Sequence, residues 1–351
     1  MESRHLRLIA ATGLLCVGFA AVGCSDENPN TTTSSGSTSS SSSGGGGGGS
    51  GGTGGSGGGA TGTAQLEAAV KDIIPFDAAP DGKGDNVYVV GLDAMGNAVI
   101  SQGKMDGSAA SKALWTGTPL VAPLNVAVST DNATVYVTDP GAEDPNGNYG
   151  RLFNIPAAGG AIAIVTNADG YRARGLEIAS EDGKDMIYFA GTNPAGEPGI
   201  FKVPADDSAA VTTIAKGSPL QDPSGVVVSK TGDVYACDTV QDSDGMGSIV
   251  GIKGGAATTI ATGVRAGFPC GVALTDDEST LLVSAIDPIK HTDTVILINL
   301  STNALSYFAD GIDTFVESAG LHRAKQGGNT FAWADTTNGS GVGTVFKVTF
   351  K

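Results

Sequence analysis

Four oxygen-bearing side chains, Asp77, Asn125, Asp222 and Glu317, stand just before or at the start of apolar strands in different copies of one repeated phrase. Oxygen donors delivered to one point from separate segments are what a hard cation such as Ca²⁺ takes as ligands. Arg172 and Arg174 occupy the equivalent stretch of a further copy. Two residues into their strands, Glu177 and His322 supply a carboxylate and an imidazole, the side-chain types of a proton-transfer pair. Placed on opposite sides of a ring, they are expected to lie too far apart for a direct bond, so that packing or a local hydrogen bond competes with catalytic use. Cys237 and Cys270 fall on adjacent repeats and are either a disulfide or two small buried residues.

These residues are carried by a phrase that restarts six times after residue 75: a turn, a short apolar strand, a polar hairpin turn and a second strand. Its clearest copy is GVVVSKTGDVYACDT, residues 225 to 239. Aligned on the second strand, the central residues are Tyr88, Tyr136, Tyr188, Tyr235, Leu282 and Ala332, spaced 48, 52, 47, 47 and 50 apart. A third strand follows each of them, and a fourth closes most copies, as in TTIAKG at 212–217 and TTIATG at 258–263. A repeat of this length built only of strands suits one four-stranded blade per copy, hence an all-β, six-bladed β-propeller over residues 64–351. The sixth copy stops after its third strand, while AQLEAAVKDII at 64–74 precedes the first copy with no blade of its own. That segment is predicted to complete the last blade and close the ring. A short helix over 64–72 is the rival reading, since Leu66, Ala69 and Val70 share helical spacing.

In such a blade the turn leading into the innermost strand and the loop between strands two and three open on one face, around the mouth of the central channel. Asp77, Asn125, Arg172, Arg174, Asp222, Glu317 and His322 break the repeat there and are the candidate ligand-binding residues. Asp77, Asn125, Asp222 and Glu317 are the candidate metal ligands. Asp139, Asp238 and Asp335 instead recur at one place, three residues past the centre of the second strand, which argues for a structural hydrogen bond. Asp144-x-Asn146-x-Asn148 has the alternate oxygens of a calcium loop but lacks its glycine and its bidentate glutamate, and reads as turn chemistry.

The N-terminus has a different composition. Arg4, His5 and Arg7 precede an apolar run from Leu8 to Val22 that is short for a membrane span. It ends in Ala21-Val22-Gly23-Cys24, which resembles the lipobox of bacterial lipoproteins and implies cleavage before Cys24 and lipidation of that cysteine. Residues 1–23 are therefore expected to be a signal peptide, and 24–63 a lipidated cysteine followed by a disordered Ser/Thr/Gly tether. The 39 residues 25–63 span roughly 35 Å as a flexible chain. Ser25 is compatible with outer-membrane sorting. The chain carries 36 acidic against 20 basic residues, a formal charge of −16. Losing Glu2, Arg4 and Arg7 with the signal leaves −17, which argues against nucleic acid as a partner. Removal of His5 leaves only His291 and His322, which excludes a histidine-rich metal site.

The phrase PSGVVVSKTGDVYACDT and its weaker echoes resemble the NHL-type and gluconolactonase-like (senescence marker protein) six-bladed propellers. That family holds its metal through Glu, Asn and Asp of separate blades, so the resemblance implies a divalent cation and a metal-dependent hydrolase of lactones or esters. A propeller lyase that opens cyclic ester antibiotics shares the fold. No compact catalytic constellation is legible in the chain. The leading expectation is thus a monomeric binding or scaffolding propeller, exported and lipid-anchored through Cys24 in the cell envelope, that takes a small molecule, glycan or protein at its mouth.

Overall fold

The computed structural model describes residues 64–239, 246–287, 289, 291–307, 318–336 and 343–350. The chain divides into Met1–Ser56 and Gly57–Lys351, and only the second unit contains described residues. The expectations for the signal peptide, for lipidation at Cys24 and for the tether fall outside them.

Six four-stranded antiparallel sheets make up the ring of a β-propeller. Their innermost strands are Ile74–Pro80, Asn125–Val128, Arg172–Glu181, Pro223–Val228, Val272–Leu274 and Ser318–Arg323, for blades 1 to 6 in chain order. Each pairs with a second strand centred on the residues aligned above: Ala79 faces Tyr88, Ala127 Tyr136, Glu177 Tyr188, Val227 Tyr235, Ala273 Leu282 and His322 Ala332. The hairpin turns between these strands use the residues such turns require. Asp182 and Gly183, both at positive φ (51° and 77°), form the two-residue turn of blade 3 that matches the twist of its flanking strands.

The second strands are buried on both faces because each blade is sandwiched between two others; Val234–Asp238 is buried throughout. That is why they read as apolar runs rather than as an alternation. The outermost strands read differently, since one edge meets water: Leu305–Tyr307 is exposed along its length.

The core is a set of seams between neighbouring blades. Val90, Phe153 and Val137 fill the seam of blades 1 and 2, Leu176 and Phe201 that of blades 2 and 3, and Ala236 and Ile252 that of blades 3 and 4. Trp333 and Phe331, both fully buried, lie between blades 5 and 6. Val87 and Ala78 of blade 1 pack on Ala332 and Val345 of blade 6, so the first and last blades meet as the others do. The N-terminal segment secures this meeting. Ala64–Val70 is a strand, not a helix, and runs antiparallel to Thr344–Phe350 with Ala64 opposite Phe350 and Val70 opposite Val345. It supplies the fourth strand of blade 6.

Cys237 of blade 4 and Cys270, two residues ahead of the inner strand of blade 5, are joined in a disulfide with a Cα–Cα distance of 6.3 Å. The bridge lies inside the seam of these blades, among Ile249, Val272 and Val283.

Candidate functional site at the channel floor

The inner strands set two rings of residues around the channel. The narrower one is formed by Asp77, Asn125, Gly175, Gly225, Gly271 and Gly320. Here neighbouring strands nearly touch. A side chain at Gly225 would strike the Cys270 carbonyl of the next blade, and one at Gly271 the backbone of Leu321. The two residues of this ring that carry polar side chains use them as fasteners. The Asp77 Oδ2 accepts the Val126 N–H of blade 2 at 2.8 Å, and the Asn125 Oδ1 accepts the Leu176 N–H of blade 3 at 2.9 Å. Both side chains are buried, 0% and 2% exposed. They are therefore not at a solvent-facing mouth, as their place in the repeat suggested, because the ring is closed too tightly there. Backbone bulges at Pro75/Asp77, Ala173/Gly175, Pro223/Gly225 and Ser318/Leu321 turn the inner strands into this waist.

The wider ring, two residues further along, holds Ala79, Ala127, Glu177, Val227, Ala273 and His322. Small residues at Ala79, Ala127 and Ala273 leave space, and a cavity of about 200 Å³ lies against Ala79, Ala127, Glu177, His322, Lys325 and Gln326. A larger cavity of about 650 Å³ adjoins it, sharing Glu177 and Lys325 and reaching Tyr188 and Lys230. Both are reached past the turns between strands one and two, at the opposite end of the channel from the turns that lead into the inner strands.

The floor carries two charge pairs. His322, 6% exposed, sets its Nε2 3.0 Å from the Asp77 Oδ2. Its Nδ1 has no hydrogen-bond partner among the described residues, and the ring borders the cavity. Burial alone pulls the imidazole pKa down. The Asp77 carboxylate, by charge and hydrogen bond, and the charge of Glu177 outweigh burial and the opposing charge of Lys325, and His322 is held above the ordinary histidine value. The other Asp77 oxygen, Oδ1, has no hydrogen-bond partner among the described residues and is wedged against Gly320. Glu177, 7% exposed, accepts the Ile178 N–H at 2.8 Å and pairs with the Lys325 Nζ at 2.6 Å. Lys325 also donates to the Ile178 carbonyl. It stands in the turn of blade 6, and so crosses the channel to reach blade 3.

No family model and no curated protein matches the chain. Solved structures share its fold. The PQQ-bound aldose sugar dehydrogenase of Streptomyces coelicolor aligns over 82% of this chain and 98% of its own, at 15% identity and a TM-score of 0.57. A candidate oxidoreductase (glucose dehydrogenase) of Thermus thermophilus aligns over 82% of this chain and 100% of its own, at 14% identity and a TM-score of 0.55. The virginiamycin B lyase of Staphylococcus aureus aligns over 82% and 99% at 14% identity, with a TM-score of 0.51. At such identities the likeness is one of fold.

The remaining sequence candidates are scattered. Arg174 pairs with Asp222, whose Oδ2 also accepts the Thr239 hydroxyl at 2.9 Å. Arg172 is exposed and lies over the Tyr149 ring, 5.7 Å from its centroid. Glu317 lies outside the described residues. Asp77, Asn125 and Asp222 do not fit a common cation: a backbone N–H and His322 hold the first, a backbone N–H the second, and Arg174 and Thr239 the third. Among the described residues no group of three or more His, Cys, Asp or Glu side chains gathers as a metal site. Two of the recurring aspartates hold loops. Asp139 accepts the N–H groups of Val121, Ala122, Gly141 and Ala142, and Asp238 those of Gln221 and Asp222. Asp335 is buried at the same position. The Asp144 carboxylate is filled by the backbone N–H groups of Asn146 and Asn148 and the Asn148 amide, which is turn chemistry.

The repeat gave no signal for two features of the floor. His322 pairs with Asp77 of the adjoining blade rather than with Glu177, a relation visible only once the last blade is seated against the first. Lys325 lies in the turn 324–329 of blade 6, one residue longer than the five-residue turns at 81–85, 129–133, 229–233 and 275–279, and that one residue is the trace of it in the sequence.

Proposed function

We propose that this chain is an exported, lipid-anchored binding propeller that takes a small polar molecule in its central channel, on the floor formed by Glu177, His322 and Lys325. The observation that carries the reading is the buried Glu177 carboxylate beside the His322 imidazole at the edge of a cavity. Packing a propeller seam does not require them, since the equivalent positions are Ala79, Ala127, Val227 and Ala273. Burying a carboxylate is costly unless it is paired, so ionisable groups at this depth point to recognition. The envelope location rests on the Cys24 motif and the Ser/Gly-rich stretch after it. The lactonase activity implied by the repeat phrase is the weaker reading, because the three described candidate ligands, Asp77, Asn125 and Asp222, each hold a partner within the fold.

A second reading, an acid–base enzyme, is favoured by the Asp77–His322 pair. A buried carboxylate that orients an imidazole beside a cavity is the arrangement a general base requires.

Calorimetric titration of the full chain against a panel of sugars, carboxylates and amines tests the binding reading. Binding that is lost in both Glu177→Gln and His322→Gln supports it. Binding that is indifferent to both variants places the ligand elsewhere and overturns it. Membrane fractionation of Cys24→Ala tests the anchor, with release of the protein as the expected result.

A further inference from the structure

Among the charged residues of the floor, Asp77, Glu177, His322 and Lys325, the last alone lies outside an inner strand, and its contacts have the form of a bound ligand. An ammonium group offers three N–H donors and no acceptor. The Lys325 Nζ meets the Glu177 Oε1 at 2.6 Å and the Ile178 carbonyl oxygen, both presented by blade 3. It reaches them on an aliphatic stem from the opposite blade, beside a cavity lined by the apolar surfaces of Ala79, Ala127 and Val128. The Lys325 side chain is 38% exposed, whereas that of Glu177 is 9% exposed. The receptor half of the pair is thus built into the wall, and the ammonium half is tethered through an open turn. Without Lys325 the floor carries the carboxylates of Asp77 and Glu177 with only the His322 imidazole set against them, an excess of negative charge suited to a cation.

Resting on the channel reading above, we infer that Glu177 and the Ile178 carbonyl form a binding site for a primary organic ammonium, and that Lys325 is its intramolecular occupant. The ligand class is a slim alkylamine, or a larger molecule presenting an ammonium on an aliphatic stem. A tethered group competes at an effective concentration on the order of millimolar. An external amine therefore displaces Lys325 only where it gains further contact in the cavity, and the lysine acts as a threshold on weak ligands. The apparent affinity falls by the fraction of molecules in which the site stands open.

Lys325→Ala removes three methylenes and the ammonium, the atoms of n-propylammonium. Titration of the full chain with n-propylammonium chloride is expected to show binding at least tenfold tighter in Lys325→Ala than in the wild type, and that gain is expected to vanish when Glu177→Gln is added. The NMR titration of His322 gives a second readout: its pKa rises in Lys325→Ala, which lacks the neighbouring positive charge, and falls back when propylammonium binds. Lys325→Met keeps the whole stem, deletes only the ammonium group and stands in if the alanine variant does not fold; there the expected gain is for the ammonium ion. No gain in amine affinity in either variant overturns the ammonium site. Propionate binding to the wild type that is lost in Lys325→Ala would overturn it too, while retaining the channel as a ligand site. Binding of neither ion to any of these proteins overturns the ammonium site and leaves the channel reading to the panel titration of sugars, carboxylates and amines.

Discussion

His322 and Asp77, 245 residues apart in sequence, face each other at 3.0 Å between the last blade and the first. Asp77 at the same time accepts the Val126 N–H of blade 2. One carboxylate therefore ties three consecutive blades, 6, 1 and 2, at the point where the ring has to close. Its second oxygen, Oδ1, lies against the Gly320 backbone with no hydrogen-bond partner among the described residues. The fastener and the floor of the cavity are the same residues, so perturbing one perturbs the other.

The pH dependence of stability should reveal this pair. The folded-state pKa of His322 lies above its unfolded value near 6.5. Its charge on Asp77 accordingly contributes stability that is fully present below about pH 6.5 and is lost as pH rises through the folded-state pKa. In thermal melts the wild type is expected to exceed His322→Gln by a margin that is greatest in mildly acidic buffer and shrinks on the alkaline side. A margin that grows with pH would show that the imidazole is bound neutral and that the assignment is wrong. Glu177 and Lys325 also face the ring with opposite signs, so Lys325→Met is expected to move the transition to higher pH.

Gly320 offers a purely steric test of the same seam. A Cβ there would overlap the Asp77 carboxylate, and the backbone of the tight ring leaves that group no room to retreat. Gly320→Ala is expected to destabilise the protein by about 3 kcal/mol, at the upper end for overpacking. Asp77→Ala in the same background removes the obstacle and should recover part of the loss in chemical denaturation, whereas additive losses would contradict the contact.

The Cys237–Cys270 bridge closes a sequence separation of 33 residues across the seam of blades 4 and 5. Restricting the unfolded chain over a loop of that size contributes about 4 kcal/mol. For a domain of this size that corresponds to a melting-temperature drop of roughly 6–7 °C in the double Cys237→Ala, Cys270→Ala variant. Calorimetry with and without reductant checks it: reductant should lower the wild type toward the variant and leave the variant unmoved.

Much of the architecture was legible because it repeats. Six copies of one phrase set the blade count and the strand registers, and the recurrence of Asp139 and Asp238 separated loop-holding residues from the rest. Location along the channel was not legible. The repeat places Asp77 and Asn125 beside a mouth, but a mouth exists only if the ring is wide there, and its width depends on glycines of other blades meeting their neighbours' backbone. The partner of His322 was hidden for a related reason: blade 6 touches blade 1 only after closure, and no local spacing records a contact between the two ends of the ring. Lys325 escaped because the turns of the other blades put Gly82, Thr130, Lys230 and Asp276 at the corresponding place, and nothing in that variation marks the one side chain that crosses the channel.

Closure itself rests on the strand Ala64–Val70. Without it, Thr344–Phe350 becomes an edge strand with open N–H and C=O groups, and Leu66, which packs beside Val348 and Phe350 in the seam of blades 5 and 6, is lost. An exposed apolar edge of this kind recruits another chain. Deleting residues 64–70 should therefore do more than lower stability. The shortened protein is expected to elute in size-exclusion chromatography as concentration-dependent oligomers, whereas Leu66→Ala, which keeps the backbone ladder, should retain the elution volume of the wild type while losing about 2 kcal/mol in denaturant titration. A deletion variant that elutes as the wild type does would show that the three strands of blade 6 hold without their fourth. The ladder to the N-terminal segment would then be an ornament of the fold rather than its latch.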